Sequence, residues 1–189
     1  FAFGSESTFL GILIFGWNRV SPRVHFISTI GVFLGSMFSA VWIVVANSWQ
    51  QTPAGYHIVG EGFNARAEVT DFWAMVFNPS SLDRIIHTWQ GAILAGAFLV
   101  LSVHSYYIRK GRYIEISKKA FKIALVVATI FSLGQLVSGH SSADGVAVNQ
   151  PAKLAAMEGH FEKSAPADLY LLGWVDKDKQ KVTGIGIPG

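Results

Sequence analysis

Residues 24–47 read Val24-His25-Phe26-Ile27-Ser28-Thr29-Ile30-Gly31-Val32-Phe33-Leu34-Gly35-Ser36-Met37-Phe38-Ser39-Ala40-Val41-Trp42-Ile43-Val44-Val45-Ala46-Asn47. None of these residues is Asp, Glu, Lys or Arg, and the run exceeds the roughly 20 residues an α-helix needs to cross a hydrocarbon core. Outward from it lie three more apolar runs. Phe1 to Trp17 reads as the second half of a spanning helix, while Ile85–Ile108 and Ala120–Gly139 are each close to spanning length. After Gly139 the sequence turns mostly polar. The pattern predicts an all-α, polytopic transmembrane helix bundle over residues 1–139, with about four helices, followed by a polar loop over 140–189.

Composition supports this reading. Of the 189 residues, 51% are hydrophobic and only 14% charged, and the mean hydropathy is +0.38. Soluble helices of this kind would lack enough polar chain to cover them. The absence of Cys removes disulfide frameworks, thiolate metal sites and cysteine nucleophiles. A net charge of +3 does not point to nucleic acid, because the basic residues sit in two short links and form no stripe interleaved with aromatics. Because the sequence opens on Phe1 inside an apolar run and closes at Pro188–Gly189 in mid-loop, it reads as a piece of a longer polypeptide.

Charge in the connections sets the expected topology. Arg19 and Arg23 lie in the first link; Arg109, Lys110, Arg112, Lys118, Lys119 and Lys122, against Glu115 alone, lie in the last. Both links are expected on the cytoplasmic side. The connection from Ser48 to Arg84 carries Glu61, Glu68, Asp71 and Asp83 against two arginines and belongs on the opposite side, with the tail. Trp17, Trp42, Trp49, Trp73, Tyr106 and Tyr107 stand near helix ends, as interfacial anchors do.

Ionisable residues within or at the ends of apolar runs are the candidates for chemistry. Glu6, flanked by Ser5 and Ser7, is either a proton relay within the membrane or a headgroup-level residue beside a capping Ser5. Ser39 could extend a polar path, although a lone membrane serine more often bonds its own helix. His87, one turn after Arg84, has the chemistry of a haem-iron ligand with a guanidinium placed for a propionate. His140 lies at similar depth, so a bis-histidine site is conceivable, whereas His25 and His104 read as interfacial side chains. In the tail, Leu154, Met157 and Phe161 share a helical face. That pattern fits a surface-lying amphipathic helix, or a quinol site in which Lys153 and Glu158 meet the hydroxyls.

Four separated runs then carry a resemblance. Glu6-Ser7-Thr8-Phe9-Leu10-Gly11 with Phe15-Gly16-Trp17, Trp42-Ile43-Val44-Val45-Ala46-Asn47-Ser48-Trp49-Gln50-Gln51-Thr52-Pro53, His87-Thr88, and Gln150-Pro151-Ala152-Lys153-Leu154-Ala155-Ala156-Met157-Glu158 resemble subunit I of the cytochrome bd quinol oxidases, in the family's order. The resemblance implies a respiratory terminal oxidase of a bacterial or archaeal cytoplasmic membrane. Such an enzyme oxidises membrane quinol at the outer face and reduces dioxygen to water, building a proton gradient without pumping. It implies low-spin haem b, high-spin haem b and haem d, with subunit II and a small accessory subunit as partners. His87 is then an axial ligand of the low-spin haem b, with Arg84 beside it. Lys153 and Glu158 become quinol-site residues in an extracytoplasmic loop, and Glu6, Ser7 and Ser39 parts of the proton route. The family pairs this histidine with a Met supplied later in the chain, which argues against the bis-histidine site, and Arg84 stands where the family carries Lys. The high-spin haems are expected to be held mainly by sequence outside residues 1–189.

Two other classes remain at this point. A quinol-linked haem-b electron carrier would use His87 with His140 and leave dioxygen untouched. A non-catalytic membrane subunit would keep Glu6 and His87 for structure alone.

Overall fold

The computed structural model describes residues 2–162 and 166–188. The chain forms two units, Phe1–Ser142 and Ala143–Gly189.

In the first unit, helix α1 (Ala2–Phe15) leads into α2 (Pro22–Gln51). Ser21 starts α2 by accepting a bond from the Val24 N–H, and Pro22 occupies the first turn, where its missing N–H costs nothing. Thr52-Pro53 ends it, since a residue before proline is driven out of the helical region. The two helices close over glycines. A Cβ on Gly31 would lie 2.5 Å from the Phe9 ring, and one on Gly35 would lie 3.0 Å from Glu6 Cβ. Small residues one turn apart allow helix axes to approach in the absence of a hydrophobic drive between them. His25 Nε2, 3.0 Å from Leu13 O, takes up a carbonyl in the last turn of α1.

The connection between Ser48 and Arg84 is structured, which the sequence reading did not anticipate. Strands β1 (Tyr56–Val59) and β2 (Arg66–Val69) form an antiparallel hairpin, and the short helix α3 (Phe72–Val76) follows. Asp71 caps α3 by accepting from the Trp73 and Ala74 N–H groups. Gly55, at φ +61, passes so close to Asp71 that a Cβ would lie 2.7 Å from its carbonyl oxygen. Trp49, expected as an interfacial anchor, donates its indole N–H to Ala54 O at 2.9 Å and so holds this loop to α2.

Helices α4 (Ser81–Arg109) and α5 (Ile114–Asn149) complete the membrane part. The expected limits Ile85–Ile108 and Ala120–Gly139 were too short. At 36 residues α5 is about 54 Å long, well beyond a hydrocarbon core of roughly 30 Å. Its last ten residues are polar and helical, and their composition masked the continuation. Buried positions on the long helices are mostly small: Ser28, Gly35, Ser39 and Ser48, with Val45, on α2, Ser81 and Ala97 on α4, Ser117, Ala124, Ala128 and Ser138 on α5. Only 17%, 6% and 11% of the apolar windows of α2, α4 and α5 are buried within the molecule, so their large side chains face outward. That is the arrangement of helices solvated by lipid or by further helices.

The second unit contains α6 (Pro151–Glu158) and an antiparallel pair, β3 (Leu169–Asp176) and β4 (Lys181–Ile187). Gly159 ends α6 at φ +71, and a Cβ there would lie 2.5 Å from Val182. The expected apolar stripe therefore breaks: Phe161 falls beyond the helix, and Met157 is exposed. The β3–β4 turn is shaped by Asp176, whose carboxylate accepts from the Asp178 and Lys179 N–H groups.

Candidate functional site

The most developed polar cluster joins α4 to α5. His87 is half-buried, and its Nδ1 lies 2.8 Å from Ser138 Oγ. Ser138 donates in turn to Gln90 Oε1 at 2.9 Å, and Gln135 Nε2 donates to the carbonyl oxygen of His87 at 3.1 Å. Glycines make room for these side chains. A Cβ on Gly134 would lie 3.2 Å from Gln90 Oε1, one on Gly91 2.9 Å from Gln135 Nε2, and one on Gly139 3.7 Å from the His87 ring. Each glutamine thus lies over a glycine of the facing helix. The arrangement leaves His87 Nε2 without a hydrogen bond among the described residues.

His140 does not join His87. Two residues beyond Ser138 on one helix is a turn of about 200°, so with Ser138 facing His87 the His140 side chain points away, and it is exposed. Arg84 is half-buried and donates from Nη1 to Asn47 Oδ1 at 2.9 Å, bridging α4 to α2. Beside this bridge, the buried Thr52 hydroxyl lies 2.7 Å from Ser80 Oγ and 3.2 Å from Asn78 Oδ1, and Ser81 donates to Val76 O. This knot ties the C-terminal end of α2 to the N-terminal end of α4. Of its polar residues Thr52 belongs to the run Trp42–Pro53 quoted from the sequence, whereas Asn78, Ser80 and Ser81 fell outside every motif, and only their density before an apolar run could have marked them.

Glu6 is bonded across the helix pair: Ser36 Oγ donates to Glu6 Oε1 at 2.6 Å. Ser36 was not singled out in the sequence. Ser39, one turn further along α2, is buried, and its hydroxyl has no partner among the described residues. Ser7 is exposed and occupied by another interaction. Glu6 and Ser36 therefore form a polar pair across the α1–α2 contact, and Ser39 lies one turn further along α2. Glu6 lies inside α1, and the side chain of Ser5 is outside the described residues.

In the second unit Lys153 lies 3.5 Å from Gln150 Oε1. Glu158 is half-buried with no hydrogen bond or ion pair among the described residues. Five residues apart on α6, these two side chains diverge by about 140° and are about 7.5 Å apart along the axis. They do not share a face. A cavity of about 430 Å³ beyond the end of α6 is lined by His160, Phe161, Tyr170, Lys181 and Val182 among others, and by neither Lys153 nor Glu158. Among the described residues no three His, Cys, Asp or Glu side chains cluster as a metal site.

His87 presents an anchored imidazole whose Nε2 has no hydrogen bond among the described residues, which suits a prosthetic group that takes a single ligand from this chain; His104, tied to Ser117, is anchored in the same way at the other end of α4. All of residues 1–189 match the model of the family described as Cytochrome bd terminal oxidase subunit I. The chain belongs to this family. The cytochrome bd-II ubiquinol oxidase subunit 1 of Escherichia coli (strain K12) is 38% identical over 181 residues, covering 95% of this chain and 35% of that protein. The cytochrome bd ubiquinol oxidase subunit 1 of Bacillus subtilis (strain 168) is 36% identical over 181 residues, covering 95% and 38% respectively. The solved bd oxidase from Geobacillus thermodenitrificans superposes with a TM-score of 0.79 at 32% identity, covering 100% of this chain and 43% of that one. The chain thus spans roughly two-fifths of these cytochrome bd subunits. Three helices long and apolar enough to cross a bilayer make this subunit I segment an integral membrane protein.

Proposed function

We propose that this chain is the part of a respiratory terminal oxidase subunit that oxidises membrane quinol and ligates the first electron-accepting haem. The observation that carries the reading is His87, held at Nδ1 by Ser138 with Nε2 open. One histidine of this kind would hold a haem b together with a ligand from elsewhere in the protein. When bound, that haem supplies one-electron transfer between a two-electron donor and a four-electron acceptor. The high-spin haem b and haem d, and the contacts to subunit II and a small accessory subunit, are assigned to sequence beyond residues 1–189.

The chain's own residues have the following parts. Quinol releases two electrons and two protons on oxidation; Glu158, half-buried and without a hydrogen bond among the described residues, accepts a proton from a quinol hydroxyl, and Lys153 hydrogen-bonds the ring oxygens. Because the two diverge on α6, the quinol lies against the helix end instead of in one closed pocket. Arg84, fixed by Asn47, keeps donors available for a propionate. Glu6 passes protons taken from the cytoplasm with Ser36 as its hydroxyl partner, and Ser39 and Ser7 extend the route. Each dioxygen takes four electrons and four protons to give two waters. Charge separates because quinol protons leave outside while the consumed protons enter from inside, so no pump is needed. The basic links around Arg19 and Arg109 support a cytoplasmic position for that side, and the acidic connection and residues 140–189 an outer one.

The test is a dithionite-reduced minus air-oxidised spectrum of membranes carrying the full-length protein, with quinol-driven oxygen uptake. Haem b and haem d bands with uptake are expected. Haem b alone without uptake would favour the electron-carrier reading, against which stands the outward direction of His140.

A further inference from the structure

We propose that Ser138 and Gln90 are positioning residues that fix the tautomer of His87 and tune the iron it binds; this rests on the haem-ligand reading above. The argument is a count of protons. A serine hydroxyl has one hydrogen to donate, and a glutamine Oε1 only accepts. Ser138 commits its hydrogen to Gln90 Oε1 at 2.9 Å, so toward His87 its oxygen can only accept, at 2.8 Å, from an Nδ1–H. Neutral imidazole protonated at Nδ1 has its lone pair on Nε2, where a metal must bind. The alternative acceptor for Ser138, Gln135 O, is 3.5 Å away and does not compete. Gln135 meanwhile donates to His87 O, which pins the backbone that carries the ring.

The direction of the relay matters. Reversed, with the Gln90 amide donating to Ser138 and Ser138 donating to Nδ1, the imidazole hydrogen would move to Nε2 and block ligation. A lone pair on Nε2 is what ligation requires, so a bound iron selects the direction in which Nδ1–H donates to Ser138 and Ser138 donates to Gln90 Oε1. An acceptor on Nδ1–H also makes the ring a stronger donor to iron, favouring the oxidised metal. Haem potential thereby depends on a pair of residues that never touch it.

The experiment is a redox titration of the low-spin haem b in the full-length oxidase, with its ferric electron paramagnetic resonance spectrum, for Ser138→Ala, Gln90→Met and His87→Ala. Ser138→Ala is expected to raise the midpoint potential while retaining the haem band, and Gln90→Met to raise it by less. An unchanged potential in both, with the haem present and His87→Ala lacking it, would overturn the relay alone. If Ser138→Ala fails to assemble, Gln90→Met still decides. Loss of haem from both would replace the tuning role with a packing role and so overturn it. Retention of the low-spin haem in His87→Ala would overturn the ligand reading and the relay together.

Discussion

Ser36 on α2 donates a 2.6 Å hydrogen bond to Glu6 on α1, across a helix contact opened by Gly35. A bond this short to a carboxylate is of the charge-assisted kind, and its loss costs about 1.5–3 kcal/mol. In the proton-route reading, Ser36→Ala in the full-length oxidase should lower oxygen consumption roughly 10-fold, the equivalent of about 1.4 kcal/mol in the barrier. The haem spectrum should stay intact. Glu6→Gln should lower it further, and equal rates in Ser36→Ala and the parent would exclude the serine from the route.

Gly31 and Gly11 offer a matched pair of helical glycines. At Gly31 a methyl group would meet the Phe9 ring at 2.5 Å, whereas at Gly11 nothing lies within 4 Å. Gly31→Ala should destabilise the α1–α2 pair by about 1–3 kcal/mol through overpacking. Gly11→Ala should stabilise by up to about 1 kcal/mol through helix propensity. Thermal unfolding in detergent compares the two, and similar midpoints would mean that the helices do not depend on this close approach.

His87 on α4 and His140 on α5 should separate in a spectrum. His87→Ala is expected to abolish the low-spin haem b signal and leave the high-spin haems, while His140→Ala leaves all of them. Loss of the low-spin haem in both variants would restore the bis-histidine arrangement.

Gly159 holds the left-handed conformation at the end of α6 and touches Val182. Gly159→Ala places a Cβ in both a strained backbone and an occupied space, costing about 1–2 kcal/mol for the backbone alone. Quinol oxidation should fall in this variant and in Glu158→Gln, with every haem still assembled. Normal quinol turnover in Glu158→Gln would remove that carboxylate from the site.

The sequence revealed the parts governed by long-range composition. Residues 24–47 could be nothing but a spanning helix, and Glu6 and His87 stood out because ionisable groups are rare in such surroundings. What it concealed was whatever depends on a partner chosen by packing. Ser36, Gln90 and Ser138 are ordinary polar residues in the sequence, and only the facing glycines show which helix each one meets. The α5 boundary was hidden because its last turns change from apolar to polar without ceasing to be helical. Both hairpins were hidden because strands of 4 to 8 residues yield a weak alternation, broken in β4 by Gly184 and Gly186.

The antiparallel helices α4 and α5 are tied twice, by His87 to Ser138 near one end and by His104 Nδ1 to Ser117 Oγ, at 3.1 Å, near the other. The ties are about 25 Å apart along α4. Two fixings at such separation remove the sliding freedom that greasy, small-residue helix contacts otherwise permit: slipping by one residue would break both at once. Register is thereby locked from both ends of the pair, so the height of the His87 ring along α4 is partly decided by a serine about five turns away.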